Sequence, residues 1–153
     1  PTGGRGVRLV FDSLTGNVRR FATTLAREAG GQPVGSVRDE PPAPGEGFLL
    51  LTYTFGSGQV PDSTAAFLRE HGAGLRGVVA SGSYHWGENF GRAGDRIAAQ
   101  FGVPLVARLN KGGTAADRAA VLAWLAGQGK ESSAAWVSPL AAERTNEWIP
   151  GLN

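Results

Sequence analysis

The sequence predicts an α/β protein in which five strands form one parallel sheet and four helices cover both its faces. Three observations carry this reading. Short runs rich in Val, Leu and Phe recur along the chain, as strands of a sheet buried on both faces require. Between them the apolar residues fall at helical spacing. Gly or Pro punctuates the switches from one period to the other. Strand alternating with helix is the signature of parallel strands joined by crossovers, and the right-handed crossover rule leaves few topologies.

Val7–Phe11 (VRLVF) reads as the first strand and Asp12–Asn17 as the turn after it. Val18, Phe21, Ala22, Leu25 and Ala29 then mark a helix that Gly30-Gly31 stops. Pro33–Val37 is a weak second strand, and Arg38–Gly47, with Pro41, Pro42 and Pro44, is a loop. Phe48–Thr52 (FLLLT) is the strongest strand, followed by the uncharged loop Tyr53–Val60. Pro61 suits the first turn of a second helix running to about His71. Leu75–Ser81 is the fourth strand and Gly82–Glu88 the loop beyond it. Phe90, Gly94, Ile97, Ala98 and Phe101 stripe a third helix, and Pro104–Leu109 is the fifth strand. Thr114 with Asp117 resembles a capping box. The helix it opens carries Val121, Leu122 and Leu125 and is expected to end at Gly127.

Composition narrows the chemistry. With 153 residues the chain suits one domain, burying about 70% of its unfolded surface. No apolar run is long enough to span a bilayer, and no basic-then-apolar segment opens the chain, so neither membrane insertion nor a signal peptide is expected and a cytoplasmic location is. Zero cysteine excludes disulfides, thiolate metal sites and cysteine nucleophiles, the last of which a low-molecular-weight phosphatase would need. Two histidines, His71 and His85, are too few for a histidine-rich metal site. A receiver domain would need an acidic cluster with a placed Lys, which is missing. The basic residues form no stripe or recognition motif, so nucleic acid is not an expected partner. Glycine, at 24 residues, is about twice its usual share, which calls for sharp turns or close approach of backbone to something.

In a parallel sheet, ligands bind beyond the carboxyl ends of the strands, and three loops of unusual composition lie there. Ser13-Leu14-Thr15-Gly16-Asn17 leads into a helix N-terminus, where free N–H groups and the helix dipole favour an anion; an ordinary helix cap uses the same residue types. A carboxylate facing such an anion would repel it, so Asp12 is expected to point away or to pair with an Arg. The loop lacks GxxxxGK[ST] and GxGxxG, which excludes a P-loop and weakens a dinucleotide reading. Thr52-Tyr53-Thr54-Phe55-Gly56-Ser57-Gly58-Gln59 offers aromatic faces and backbone amides to a flat heterocycle, unless Phe55 folds back into the core. Ser81-Gly82-Ser83-Tyr84-His85-Trp86-Gly87-Glu88-Asn89-Phe90 sets three rings between glycines, a stacking platform or else a satellite packing cluster.

A strand running into SLTGN, the loop TYTFGSGQVP, and GVVASGSYHWGENFGRAGDRIAAQFGVPLV together resemble the NrdI family, from about Val7 to Gly127. Its members are small flavodoxin-like FMN proteins that serve class Ib ribonucleotide reductase. The resemblance implies a flavodoxin-like sheet in the order 2-1-3-4-5. It implies that Ser13, Leu14, Thr15, Gly16, Asn17 and Val18 hold the FMN phosphate, with Val18 replacing a Thr donor that flavodoxins often use. Thr52, Tyr53, Thr54, Phe55 and Gly56 would flank one side of the isoalloxazine. Ser81, Gly82, Ser83, Tyr84, Trp86, Gly87 and Phe90 would hold the other, with Trp86 the stacking ring. The chemistry would run on the flavin, with no catalytic side chain and no bound metal.

The same resemblance implies a reaction. Reduced flavin passes an electron to O₂, and the resulting superoxide-type oxidant is channelled to the dimanganese site of the reductase's small subunit, generating its tyrosyl radical. Partners are then that small subunit, O₂ and a flavin-reducing protein, with this chain an accessory rather than a stand-alone enzyme. The alternative is a general electron-carrier flavodoxin without oxygen chemistry. The basic balance (net +2, pI about 9.5) leans away from acidic electron carriers. It also suits an acidic partner, although Arg5, Arg8, Arg19 and Arg20 can equally be solvated. Residues 128–153 form a C-terminal extension beyond the matched region. Trp136, Trp148 and Ile149 are apolar enough to dock it on the 1–127 domain.

Overall fold

The computed structural model describes residues 7–39, 41–43, 46–55, 58–82 and 91–135, the stretch 129–135 as helix backbone. The order of elements is β1 (Arg8–Phe11), α1 (Asn17–Glu28), β2 (Val34–Ser36), β3 (Phe48–Tyr53), α2 (Asp62–His71), β4 (Leu75–Gly82), α3 (Arg92–Phe101), β5 (Leu105–Asn110) and α4 (Ala115–Ala135). A 3-10 turn, Gly72–Gly74, links α2 to β4. Every strand pairing is parallel and the sheet order is β2-β1-β3-β4-β5, the flavodoxin-like order expected.

Burial explains why β3 reads as an apolar run without alternation. Leu49 and Leu51 face a cluster formed with Val18, Phe21, Ala22 and Leu25 of α1 and Val121 of α4. Phe48 and Leu50 face the opposite cluster, with Phe67 and Leu68 of α2 and Ile97 of α3. Both faces of the strand are therefore core. The same pleat organises β1: Leu9 and Phe11 point to the α1 side and Val10 to the α2 side. Alternation then places the next residue, Asp12, towards α2, away from the helix that follows it in sequence.

Helix α3 lies against the sheet without a side chain between them at one point. A Cβ on Gly94 would come within 2.6 Å of Leu105 Cδ1 and 2.7 Å of Ala80 Cβ. Gly94→Ala is therefore an overpacking substitution and should cost about 2 kcal/mol of stability, read by urea unfolding. A variant as stable as the parent would mean that α3 shifts outward freely.

The capping box at α4 is reciprocal. Thr114 N–H donates to Asp117 Oδ2 at 2.9 Å, and Asp117 N–H to Thr114 Oγ1 at 3.1 Å. The far end differs from expectation: α4 passes through Gly127 and reaches Ala135. Gly127 does not adopt the left-handed conformation of a helix-ending glycine, and a side chain there would meet nothing within 4 Å. The boundary expected at 127–128 thus falls inside a helix. Trp136, Trp148 and Ile149 lie outside the described residues.

Candidate functional site

Because all five strands run the same way, the ends of β1, β3 and β4 share one edge of the sheet, and the three loops of interest leave from it. The first is a shaped helix entrance. Gly16 stands at the N-cap of α1 with φ of 95°, a left-handed conformation that glycine adopts without strain. Its N–H donates to Ser13 Oγ at 3.1 Å. No side chain caps α1 and its first turn holds no acidic residue, so the first N–H groups have no intrahelical partner. Leu14 and Thr15 are exposed on the loop and Asn17 is half-buried. Arg20 Nη2 donates to Asn17 Oδ1 at 2.5 Å. A Cβ on Gly16 would meet Arg20 Nη1 at 3.1 Å and Arg19 Nη2 at 3.7 Å, so two guanidiniums converge above this glycine. Free amides, a helix dipole and two cations make a fitting receptor for a phosphomonoester.

At the second loop, Phe55 stays 53% exposed instead of folding into the core. A small turn displays it: Phe55 N–H donates to the Gln59 carbonyl at 2.8 Å, and Gln59 N–H to the Phe55 carbonyl at 2.7 Å, with Gly58 at φ of 105°. Tyr53 packs its ring at the margin of the α1-side cluster. Burial raises the phenol above its ordinary pKa of 10.0, the Asp12 charge adds to this, and the Ser63 hydroxyl opposes it.

Of the third loop, Ser81 and Gly82 are described, whereas Ser83, Tyr84, Trp86, Gly87 and Phe90, like Gly56 of the second loop, lie outside the described residues. Ser81 Oγ donates to the Lys111 carbonyl at 2.6 Å, and Lys111 N–H to the Gly82 carbonyl at 2.7 Å. Thr54 N–H donates to the Ser81 carbonyl at 2.9 Å, and Thr54 Oγ1 accepts from Ala93 N–H at 3.4 Å. The ends of β3, β4 and β5 and the start of α3 are thereby tied into one floor.

The structure brings the described candidates to this edge but divides their roles. Ser13, Leu14, Thr15, Asn17, Tyr53 and Phe55 form its accessible part, and Gly16 is buried beneath the two arginines. Val18, Thr52, Thr54 and Ser81 are buried, so their side chains serve the fold. Asp12 does point away from the first loop. Its carboxylate is taken by hydroxyls and not by an arginine: Oδ2 accepts from Ser63 Oγ at 2.5 Å and from Thr64 Oγ1 at 2.6 Å. Thr64 Oγ1 also lies 2.8 Å from Thr52 Oγ1. Ser63 and Thr64 were not among the residues singled out from sequence. The available signal was the pair of hydroxyls directly after Pro61-Asp62, in the first turn of a helix.

Residues 9–123 match the family described as NrdI Flavodoxin like. Protein NrdI of Deinococcus radiodurans is 66% identical over 119 residues, 78% of this chain and 82% of that one. Protein NrdI of Bacillus licheniformis is 40% identical over 112 residues, 72% of this chain and 81% of that one. A short-chain flavodoxin associated with a non-canonical PDU bacterial microcompartment shares the fold, with a TM-score of 0.65 at 17% identity over 81% of this chain and 96% of that one. The parallel sheet, the anion-ready entrance of α1 and these matches lead to one assignment: the chain belongs to the NrdI flavodoxin-like family.

Proposed function

We propose that this chain binds FMN at the carboxyl edge of its sheet and serves a class Ib ribonucleotide reductase. The observation that carries the cofactor assignment is the entrance of α1: an uncapped helix N-terminus, a left-handed Gly16 and two guanidiniums, in a chain of this family. Ser13, Leu14, Thr15, Gly16, Asn17 and the N–H of Val18 hold the phosphate. Thr52, Tyr53, Thr54, Phe55 and Gly56 flank one side of the ring system. Ser81, Gly82, Ser83, Tyr84, Trp86, Gly87 and Phe90 flank the other. FMN held by these residues would supply one-electron reduction of O₂, the oxidant needed to assemble the dimanganese-tyrosyl radical cofactor of the small subunit.

The residues have separable tasks in this scheme. The amides and cations of the first loop anchor the phosphate and fix the ring's reach. Tyr53, neutral because its phenol holds its proton beyond the ordinary range, presents a hydrogen-bonding side chain without adding charge. Phe55, exposed beside it, shields one flank from water and offers apolar surface to a docking protein. Among the described residues no helix is long and apolar enough to cross a membrane, and both partners proposed here, the small subunit and a flavin-reducing protein, are met in the cytoplasm.

The decisive experiment has two stages. Purified protein should quench FMN fluorescence stoichiometrically, and a colourless chain without FMN affinity ends the reading. Photoreduced holoprotein mixed with O₂ and manganese-loaded small subunit should then yield a tyrosyl radical by electron paramagnetic resonance. FMN binding without radical formation supports the general electron-carrier alternative.

A further inference from the structure

We propose that Lys111, in the turn that leaves β5, supplies a third cation to the phosphate end of the flavin site and is a determinant of its preference for FMN over riboflavin. This rests on the flavin reading above. It adds a fourth loop, residues 111–113, to the three that the sequence marks out.

The turn is wedged between two of those three loops. Lys111 N–H donates to the Gly82 carbonyl at 2.7 Å, and the Lys111 carbonyl accepts from Ser81 Oγ at 2.6 Å. Both sides of the residue are therefore fixed to the last two positions of β4, where the third loop begins. On its other flank the turn lies against the start of α1. A Cβ on Gly112 would come 3.7 Å from Asn17 Oδ1, and one on Gly113 would come 2.8 Å from Phe21 Cδ2. Asn17 Oδ1 is the atom that accepts from Arg20 Nη2 at 2.5 Å. Lys111 thus stands one residue, about 3.8 Å of backbone, from the position that meets this amide.

The backbone shows that a side chain is kept here against conformational preference. Lys111 has φ of 58° and is the one non-glycine residue with positive φ among the described residues. That region suits glycine first and then Asn, Asp or His. The same turn uses glycine where bare backbone is required: Gly113, at φ of 76°, leaves no room for a Cβ beside Phe21. Lys111 is exposed instead, so glycine would serve the turn there without strain. What lysine adds is an ammonium on a flexible four-carbon stem.

The charges around this edge leave that ammonium available to an anion. Asp117 accepts from Thr114 N–H at 2.9 Å, Asp95 pairs with Arg108 at 2.5 Å, and Asp12 is buried towards α2. The ion pairs among the described residues do not include Lys111. A phosphomonoester carries a charge of about −1.5 to −2 at neutral pH. Arg19 and Arg20 meet it from α1, and Lys111 meets it from the turn after β5, a separate element.

Two substitutions separate charge from backbone. Lys111→Gln keeps the strain and removes the charge, whereas Lys111→Gly removes both. In fluorescence titrations each should bind FMN about fivefold more weakly, the effect of one partly exposed charge pair, with riboflavin binding unchanged. Raising the salt to about 1 M, where the screening length is about 3 Å, should shrink the difference between Lys111→Gln and the parent. Lys111→Gly alone should gain stability, its apoprotein melting about 2–4 °C higher. A preference for FMN over riboflavin equal to the parent's in both variants overturns the proposal and leaves a solvated turn residue. Equal losses for the two ligands overturn it as well, since they mark a distorted site. A Lys111→Gly protein that melts no higher than the parent removes the premise that lysine is held there at a cost. A parent protein that binds neither flavin overturns the flavin reading instead, and the two failures are distinct.

Discussion

Gly16→Asp is expected to weaken FMN binding by about a hundredfold or more while leaving the apoprotein folded. A side chain at φ of 95° is strained, but aspartate tolerates the left-handed region better than most residues, so the cost of about 1–3 kcal/mol leaves the apoprotein folded. The new side chain would grow towards the two guanidiniums, since a Cβ there lies 3.1 Å from Arg20 Nη1 and 3.7 Å from Arg19 Nη2. The features that recruit a phosphate would recruit this carboxylate, and it would occupy the place the phosphate needs. Two like charges about 4 Å apart at an effective dielectric of about 20 repel by about 4 kcal/mol. Screening and relaxation that remove a third of this leave about 2.7 kcal/mol, which is a hundredfold. Riboflavin, which lacks the phosphate, is the control. Fluorescence titration should show its weaker binding unchanged. Equal losses for both ligands would point to a distorted loop, and no loss for either would place the phosphate elsewhere.

The sheet was legible because its physics is local. FLLLT cannot be half-exposed, and the Gly and Pro residues between the runs set the crossovers. The side chosen by Asp12 was legible too, by counting alternation from Leu9. What sequence could not show is what waits on that side. Ser63 and Thr64 are 51 and 52 residues away, and nothing in a short window links a lone Asp to two hydroxyls at the start of another helix. The same distance problem hides which polar candidates are engaged inside the fold. Thr52, Thr54 and Ser81 look like ligand donors in a loop motif, yet each is closed by a partner from another element: Thr64, Ala93 and the Lys111 carbonyl. The missed end of α4 has a different cause. Glycine signals a helix stop only when it takes the left-handed conformation, and composition alone does not reveal its φ.

Leu50→Ala should produce the largest loss of stability, about 3–4 kcal/mol, and a fall in melting temperature of about 10 °C for a chain of this size. Leu50 is fully buried in the central strand and packs in the cluster of α2 and α3. Its neighbours Leu49 and Leu51 are committed to the opposite face, so no residue of the strand can rotate to fill the void, and the cavity term stays near its upper range. The position also separates core from site. Leu50 is two residues before Thr52 on the same face, but the Thr52–Thr64–Asp12 network above it is held by its own hydrogen bonds. The folded variant should therefore retain the parent's FMN affinity at low temperature. Ligand that binds only the folded form stabilises it by RT ln(1 + [L]/Kd), so FMN at a hundred times its Kd should restore about 2.7 kcal/mol, most of what the substitution removes. A variant that melts early and is not rescued by FMN, while the parent is, would show that the strand's core packing and the cofactor edge are one cooperative unit.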